Sequence, residues 1–343
     1  MAKPLRLSAY GRASLQPAPV NQMMAAFAAQ AAVAIENARD INLGVGYVNE
    51  DTMPRALIGA ALDAVLADPA RYRYCLNYGG AHGSPNLIAS LRRFHAQVLR
   101  DGVDQAQLER RQILIGANGA TSLLEGLAQV LRPGIVLTSD PMYYIFADLL
   151  ERLGHEVLTV PEDDCGVSAD GLTDLLHRLG SRARAVSMIY VTGVGNPTGT
   201  ILANQRRREL VEIAAALSAA LRRTVPLVID RAYDLLVHDP DAEQPVSMVP
   251  VDKEGVVFEL GTLSKVLAPA LRIGYLIGPP GPLCDALAQH TGDVGFSAPL
   301  LNQEMFSAYS MTEPQGGSDP NLFRTTAVRD GEEWVINGEK WFT

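Results

Sequence analysis

Residues 261 to 275 read GTLSKVLAPALRIGY and bring an amine, two hydroxyls and a guanidinium close together, as Lys265, Thr262, Ser264 and Arg272. Such a mixture suits an anion held beside a nucleophile. Lys265 stands out because the chain avoids lysine: of its 29 basic residues only Lys3, Lys253, Lys265 and Lys340 are not arginine. Arginine keeps its proton in a protein, whereas a lysine amine can lose it and attack a carbonyl carbon. Taken alone, Lys265 fits a solvent-facing position as well as a catalytic one. No serine stands at position 262, so the SxxK pattern of serine acyl-enzymes is not matched.

Three other short stretches carry chemistry of a compatible kind. In GANGATSLLEGL, small residues lead straight into a helical pattern, and the N–H groups of Gly119, Ala120 and Thr121 with the Thr121 hydroxyl would suit a phosphate, though a plain helix cap reads the same way. In TGVGNPTGT the GxG falls short of a dinucleotide fingerprint, because Thr198 stands where the third glycine belongs and Pro197 blocks a helix start. Asn196 is there a turn former or an amide aimed at a ligand oxygen. In DRAYDLL, Asp230 ends an apolar run and needs a cationic or hydrogen-bonding partner, with Tyr233 three residues on. One ligand meets all these needs: a phosphate for Thr121, Thr262, Ser264 and Arg272, an aldehyde for Lys265, a cationic ring nitrogen for Asp230, and a phenolic oxygen for Asn196 and Tyr233. Pyridoxal 5'-phosphate has each of them.

The elements that must position these groups are legible as an alternation. Apolar runs at 112–116, 134–140, 155–160, 183–191, 225–230, 255–260 and 272–278 predict strands, and the segments 119–131, 142–153, 168–179 and 203–223 predict helices. Strands this continuously apolar, separated by helices, predict an α/β fold with a mostly parallel central sheet covered on both faces, a three-layer sandwich. Ligands in such sheets bind beyond the carboxyl ends of the strands, which is where the polar residues above fall. Upstream, 53–67 and 84–100 read as helices, the second capped by Ser84 with Pro85 at its first position.

Composition sets the outer bounds. A chain of 343 residues, 48% hydrophobic and 20% charged, can bury a large core. A net charge of -9 argues against nucleic-acid or anionic-membrane surfaces, and the one arginine run, Arg206 to Arg208, reads as a solvated helix face. Cys75, Cys165 and Cys284 lie far apart without CxxC spacing, so no metal site or disulfide framework is expected, and a reducing cytoplasm fits. The apolar run 23–38 is interrupted by Gln30, Glu36 and Asn37 and reads as an amphipathic helix rather than a leader or membrane segment.

Taken in order, YGGAHG, NGATSLLEGL, DPMYYIF, GNPTGT, DRAY and TLSKVLAPALRIGY resemble the class I/II aminotransferases of fold-type I pyridoxal-phosphate enzymes over roughly residues 40 to 303. The resemblance implies that Lys265 forms a Schiff base with the cofactor and moves the Cα proton of an amino acid whose amino group passes to a 2-oxo acid. It implies that Asp230 keeps the pyridine nitrogen protonated, that Asn196 and Tyr233 hold the ring hydroxyl, and that Tyr143 stacks on the ring. Ala120, Thr121, Thr262, Ser264 and Arg272 would then hold the phosphate, and Gly46 and Asn196 would line the substrate side. Tyr78 is similar to the tyrosine that reaches the neighbouring subunit's phosphate, which implies a homodimer. A lyase or decarboxylase outcome on the same cofactor stays open.

The resemblance divides the chain into an arm at 1–45, a large cofactor domain at 46–303 and a different tail at 307–343. That tail is similar to a flavin-binding segment of acyl-CoA dehydrogenases, with Thr312 and Ser318 at the flavin-contacting positions. It is too short to form a flavin site, and its RTTAVRDGEEWVING stretch predicts a β-hairpin. The expectation is a chimeric chain with an incomplete small domain, lacking the family's arginine for the substrate carboxylate. Transamination is therefore expected to be weak, or absent in a chain that binds cofactor without turnover.

Overall fold

Strands that are apolar at every position need cover on both faces, and the fold supplies it. The computed structural model describes residues 6–16, 22, 25, 48, 50–99 and 101–308, with the backbone of 326–330 and 333–337. Eight strands form the main sheet: β1 (Gln112–Ile115), β2 (Ile135–Asp140), β3 (Glu156–Asp163), β4 (Gly166–Val167), β5 (Val186–Thr192), β6 (Leu227–Asp230), β7 (Val257–Thr262) and β8 (Gly274–Gly278). The described helices are α1 (Ala9–Ala13), α2 (Arg55–Ala67), α3 (Pro85–Arg93), α4 (Gln105–Glu109), α5 (Gly119–Val130), α6 (Tyr144–Arg152), α7 (Ala169–Leu179), α8 (Asn204–Leu221), α9 (Pro282–Gly295) and α10 (Leu300–Ala308). The predicted helix over 84–100 ends earlier than expected, because a wider π-helical turn at Phe94–Leu99 continues from α3.

Successive side chains of β6 show how the layers form. Leu227 and Ile229 enter a core with Leu172 of α7 and Leu210 and Ala214 of α8. Val228, between them, points the other way into a core with Leu123 and Leu127 of α5, Phe146 of α6 and Leu287 of α9. The sheet is thus the middle layer of three. Each of these strand side chains is fully buried, and such burial contributes about 1.5–3 kcal/mol apiece. A separate cluster around Ala61, Val65 and Met305 joins α2 to α10.

The strand order is β1-β8-β7-β6-β5-β2-β3-β4. Five consecutive strands, β7, β6, β5, β2 and β3, run parallel, and β8 lies antiparallel between β7 and β1. After β2 the chain lays β3 on one side of it and β5 on the other, so the order reverses between β2 and β5. A reversal of this kind opens a crevice beyond the carboxyl ends of the strands.

The tail forms the expected hairpin: β9 (Thr326–Asp330) pairs antiparallel with β10 (Glu333–Asn337), Asp330 opposite Glu333, as a two-stranded sheet of its own. All of the predicted helix over 23–38 except residue 25, together with Gly46, Thr312 and Ser318, lies outside the described residues.

Candidate active site

Side chains from four strand ends meet at the crevice. Asp230 is the last residue of β6 and only 7% exposed. Its Oδ2 accepts a hydrogen bond from the Tyr190 hydroxyl at 2.9 Å and its Oδ1 accepts one from the Ala232 N–H at 3.0 Å. Burial pushes its pKa up to about 6, against those two donors; Asp234 adds repulsion and Lys265 opposes it. A buried carboxylate held, among the described residues, by neutral donors is the partner a cationic ring nitrogen requires.

Asn196, in the loop after β5, donates from Nδ2 to the Tyr233 hydroxyl at 3.3 Å, so the two groups expected to share a ligand oxygen do converge. Lys265 follows β7, and its Nζ lies 5.4 Å from the centre of the Tyr233 ring. It makes no hydrogen bond or ion pair among the described residues. Burial and then the Arg272 guanidinium hold its amine below the ordinary lysine value, against the pull of Asp230. A lysine so placed is more often neutral and therefore more nucleophilic.

Arg272 reaches the same place for a reason the strand pattern did not show. The expected strand 272–278 begins only at Gly274, and Arg272 is a left-handed residue at φ 55° just before it. Because β8 runs antiparallel to its neighbours, its start, not its end, faces the crevice. Arg272 Nε donates to Asn118 Oδ1 at 2.7 Å and its Nη2 to the Asn118 carbonyl at 3.1 Å, which ties the guanidinium to the first turn of α5. Gly119 has φ +67°, and a Cβ there would lie 3.1 Å from Arg272 Nη2. Ala120 and Thr121 follow in that first turn, where backbone N–H groups point out of the helix.

Thr262 holds the loop in place. Its hydroxyl donates to the Ile273 carbonyl at 3.1 Å and accepts from the Ser264 N–H at 3.2 Å, so it clamps the loop that carries Lys265 to the start of β8. Ser264 is buried beside Lys265. Tyr143 follows β2, and its hydroxyl is pushed up to about 12 by burial and by Tyr233 and Asp230, which places it in the same electrostatic neighbourhood. Tyr78 is 82% exposed, with its ring 5.7 Å from that of Phe296.

Two features escaped sequence reading. The first is Tyr190, on β5, the hydroxyl donor to Asp230. The second is an ion cluster behind the site, and it corrects the reading of the arginine run. Arg208 is exposed as expected, but Arg207 is fully buried and pairs with Asp234, Nη1 to Oδ2 at 3.0 Å. Its Nη2 also donates to the Gly193 carbonyl at 3.1 Å. A Cβ on Gly193 would fall on the Asp234 carboxylate and 2.8 Å from Arg207 Nη2, so this glycine serves the ion pair and not a phosphate. Arg231 is buried too, bound to Asp234 at 2.8 Å, Asp101 at 2.8 Å and Glu259 at 2.9 Å. Burial works against the Asp234 charge, but Arg207 and Arg231 outweigh it and hold its carboxyl below the usual range. Glu259, alone among apolar residues of β7, was a legible signal that a buried cation must meet it.

The fold defines a three-layer α/β protein with its ligand crevice at a strand-order reversal. The chain belongs to the aminotransferase class I and II family, whose model matches residues 38–315. The acyl-CoA dehydrogenase middle-domain model matches only residues 308–343. An aromatic-amino-acid aminotransferase of Thermococcus litoralis is 28% identical over 72% of this chain and 56% of its own length. An uncharacterized HTH-type transcriptional regulator of Bacillus subtilis is 27% identical over 77% of this chain and 50% of its own. The chain thus spans about half the length of the curated relatives it matches. The solved structure of a multiple substrate aminotransferase from Thermococcus profundus superposes with a TM-score of 0.74 at 24% identity, covering 88% of this chain and 70% of that one. The cofactor of the family is pyridoxal 5'-phosphate, and the donor set present fits it: a buried carboxylate, a depressed amine, an amide–phenol pair and an arginine at a helix N-terminus. Among the described residues no cluster of His, Cys, Asp and Glu could hold a metal, the three cysteines are free, and no helix is long and apolar enough to cross a membrane.

Proposed function

We propose that the protein is a pyridoxal-phosphate-dependent aminotransferase that moves an amino group between an amino acid and a 2-oxo acid. The observation that carries this reading is Lys265: a partly buried amine, held below its ordinary value and free of hydrogen bonds among the described residues, in the same crevice as the buried carboxylate of Asp230. When bound, the cofactor supplies an electron sink for the carbanion left at Cα. The chain's own groups do the rest. Lys265 takes and returns the Cα proton; Asp230 holds a proton on the ring nitrogen; Asn196 and Tyr233 orient the ring hydroxyl; Tyr143 covers the ring. Arg272 with the first turn of α5, Ala120 and Thr121, anchors the phosphate, together with the Ser264 hydroxyl. The exposure of Tyr78 supports a homodimer in which it reaches the partner's site.

The test is direct. The purified protein should take up pyridoxal 5'-phosphate with a visible absorbance band that Lys265→Ala abolishes, and should transfer amino groups from some member of an amino-acid panel to 2-oxoglutarate or pyruvate. Absence of cofactor uptake by the folded protein would falsify the reading. Uptake with no transfer from any donor would favour a second reading, a cofactor-binding module without turnover. What supports that reading is the similarity to uncharacterized HTH-type transcriptional regulators, whose names state no enzyme activity.

A further inference from the structure

Asp230 is held from behind by one side chain, and that side chain has no other polar contact among the described residues. Tyr190 is 0% exposed on β5, its ring edge-on to Phe146 at 4.8 Å between centroids. It sits in an otherwise apolar core with Met188, Val228 and Phe258. A hydroxyl there costs free energy unless bonded, and its one partner among the described residues is Asp230 Oδ2 at 2.9 Å. Burial and the nearby Asp230 charge keep the phenol protonated well beyond the ordinary tyrosine range, so it stays a donor at every working pH. A phenylalanine would fill the same space, which makes the oxygen, and not the ring, the part that packing leaves unexplained.

We propose that Tyr190 is a positioning residue for the cofactor's ring nitrogen: its hydroxyl fixes the rotamer of Asp230 and keeps the carboxylate, rather than the nitrogen, the deprotonated member of the pair. The inference rests on the pyridoxal-phosphate reading above. With Tyr190 on Oδ2 and the Ala232 N–H on Oδ1, the carboxyl plane is pinned at both oxygens. Of the charged groups facing Asp230, Asp234 disfavours its negative charge and Lys265 favours it, while Tyr233 and Tyr143 are neutral phenols whose own ionisation the Asp230 charge opposes. The Tyr190 hydroxyl stabilises the carboxylate whatever charge Lys265 carries. Removing the hydroxyl shifts the shared proton from the ring nitrogen towards Asp230; no proton is gained or lost overall.

The experiment uses the whole chain loaded with pyridoxal 5'-phosphate labelled with nitrogen-15 in the ring. In the wild type the ring nitrogen should resonate as a protonated pyridinium at pH 7.5. In Tyr190→Phe the signal should move towards the unprotonated pyridine position, and cofactor affinity should fall by about tenfold or more, the effect of one lost hydrogen bond to a charged group. In an Asp230→Asn background, Tyr190→Phe should change neither quantity appreciably, which a purely structural role for the ring would not produce. Should Tyr190→Phe fail to fold, 3-fluorotyrosine placed at 190 alone strengthens the donor and should raise the pH at which the nitrogen signal moves to the unprotonated position. An unchanged nitrogen signal in a folded Tyr190→Phe, or an unchanged pH of that transition in the fluorinated protein, overturns the proposal alone. A wild type that takes up no cofactor overturns the pyridoxal-phosphate reading and this inference with it.

Discussion

Asp230→Asn should stabilise the cofactor-free protein above neutral pH and lose that advantage in acid. The reason lies in the direction of the Asp230 shift: burial raises its pKa from 3.8 to about 6. An acid that binds its proton more tightly when folded makes the folded state the better proton acceptor between those two values. Stability therefore falls as pH rises through that window, and the full penalty is present above about pH 6. A shift of this size corresponds to about 3 kcal/mol, of which roughly 1.5 kcal/mol develops between pH 5 and pH 8. Asparagine removes the charge while its carbonyl can still accept from the Ala232 N–H and its amide can meet the Tyr190 oxygen. Urea denaturation of both proteins without cofactor, at pH 5 and pH 8, measures the difference. The gap in favour of the variant should widen by about 1.5 kcal/mol at the higher pH. Parallel stability curves for the two proteins would mean that the Asp230 carboxylate is not desolvated as the structure has it.

Other substitutions probe the rest of the site. Arg207→Met should destabilise the chain by about 3–5 kcal/mol, because it leaves the buried Asp234 short of a partner, whereas Arg208→Ala should stay within about 0.5 kcal/mol; thermal denaturation separates them. Gly193→Ala, whose new methyl would fall on the Asp234 carboxylate, should behave more like the first than the second in the same assay. Arg272→Gln should raise the pKa of Lys265 by removing a repelling charge, so that acylation of Lys265 in the cofactor-free protein sets in at higher pH than in the wild type, as followed by peptide mass spectrometry. The same variant should also bind pyridoxal 5'-phosphate more weakly, while its affinity for pyridoxal, which lacks the phosphate, should change little. Thr262→Val should impair Lys265 through the loop and not through the phosphate: cofactor affinity should fall for pyridoxal and pyridoxal 5'-phosphate alike, and a loss confined to the phosphorylated form would refute the clamp role.

Local chemistry determined much of this protein. Continuous apolar runs placed seven of the eight strands of the main sheet, all but the two-residue β4, small and polar residues after them marked the loops, and the rarity of lysine singled out Lys265. Asp230 and Asn196 were legible because each breaks a local pattern, an acid closing an apolar strand and an amide before a proline. The hairpin of the tail was legible for the same reason, since both of its strands and the turn between them lie within a dozen residues. What only the tertiary structure decided depends on neighbours distant in the chain. The antiparallel insertion of β8 between β7 and β1 turns Arg272 towards the crevice, and no periodicity within 272–278 encodes a strand's direction relative to its neighbours. Arg207 has the composition of a solvated helix face but meets Asp234, 27 positions on, in a fully buried pair. Tyr190 looks like one more aromatic in an apolar strand until β6 is laid beside β5 and brings Asp230, 40 positions on, within a hydrogen bond of its hydroxyl. A polar group's burial is set by what packs around it, and its function by the partner that burial forces it to find.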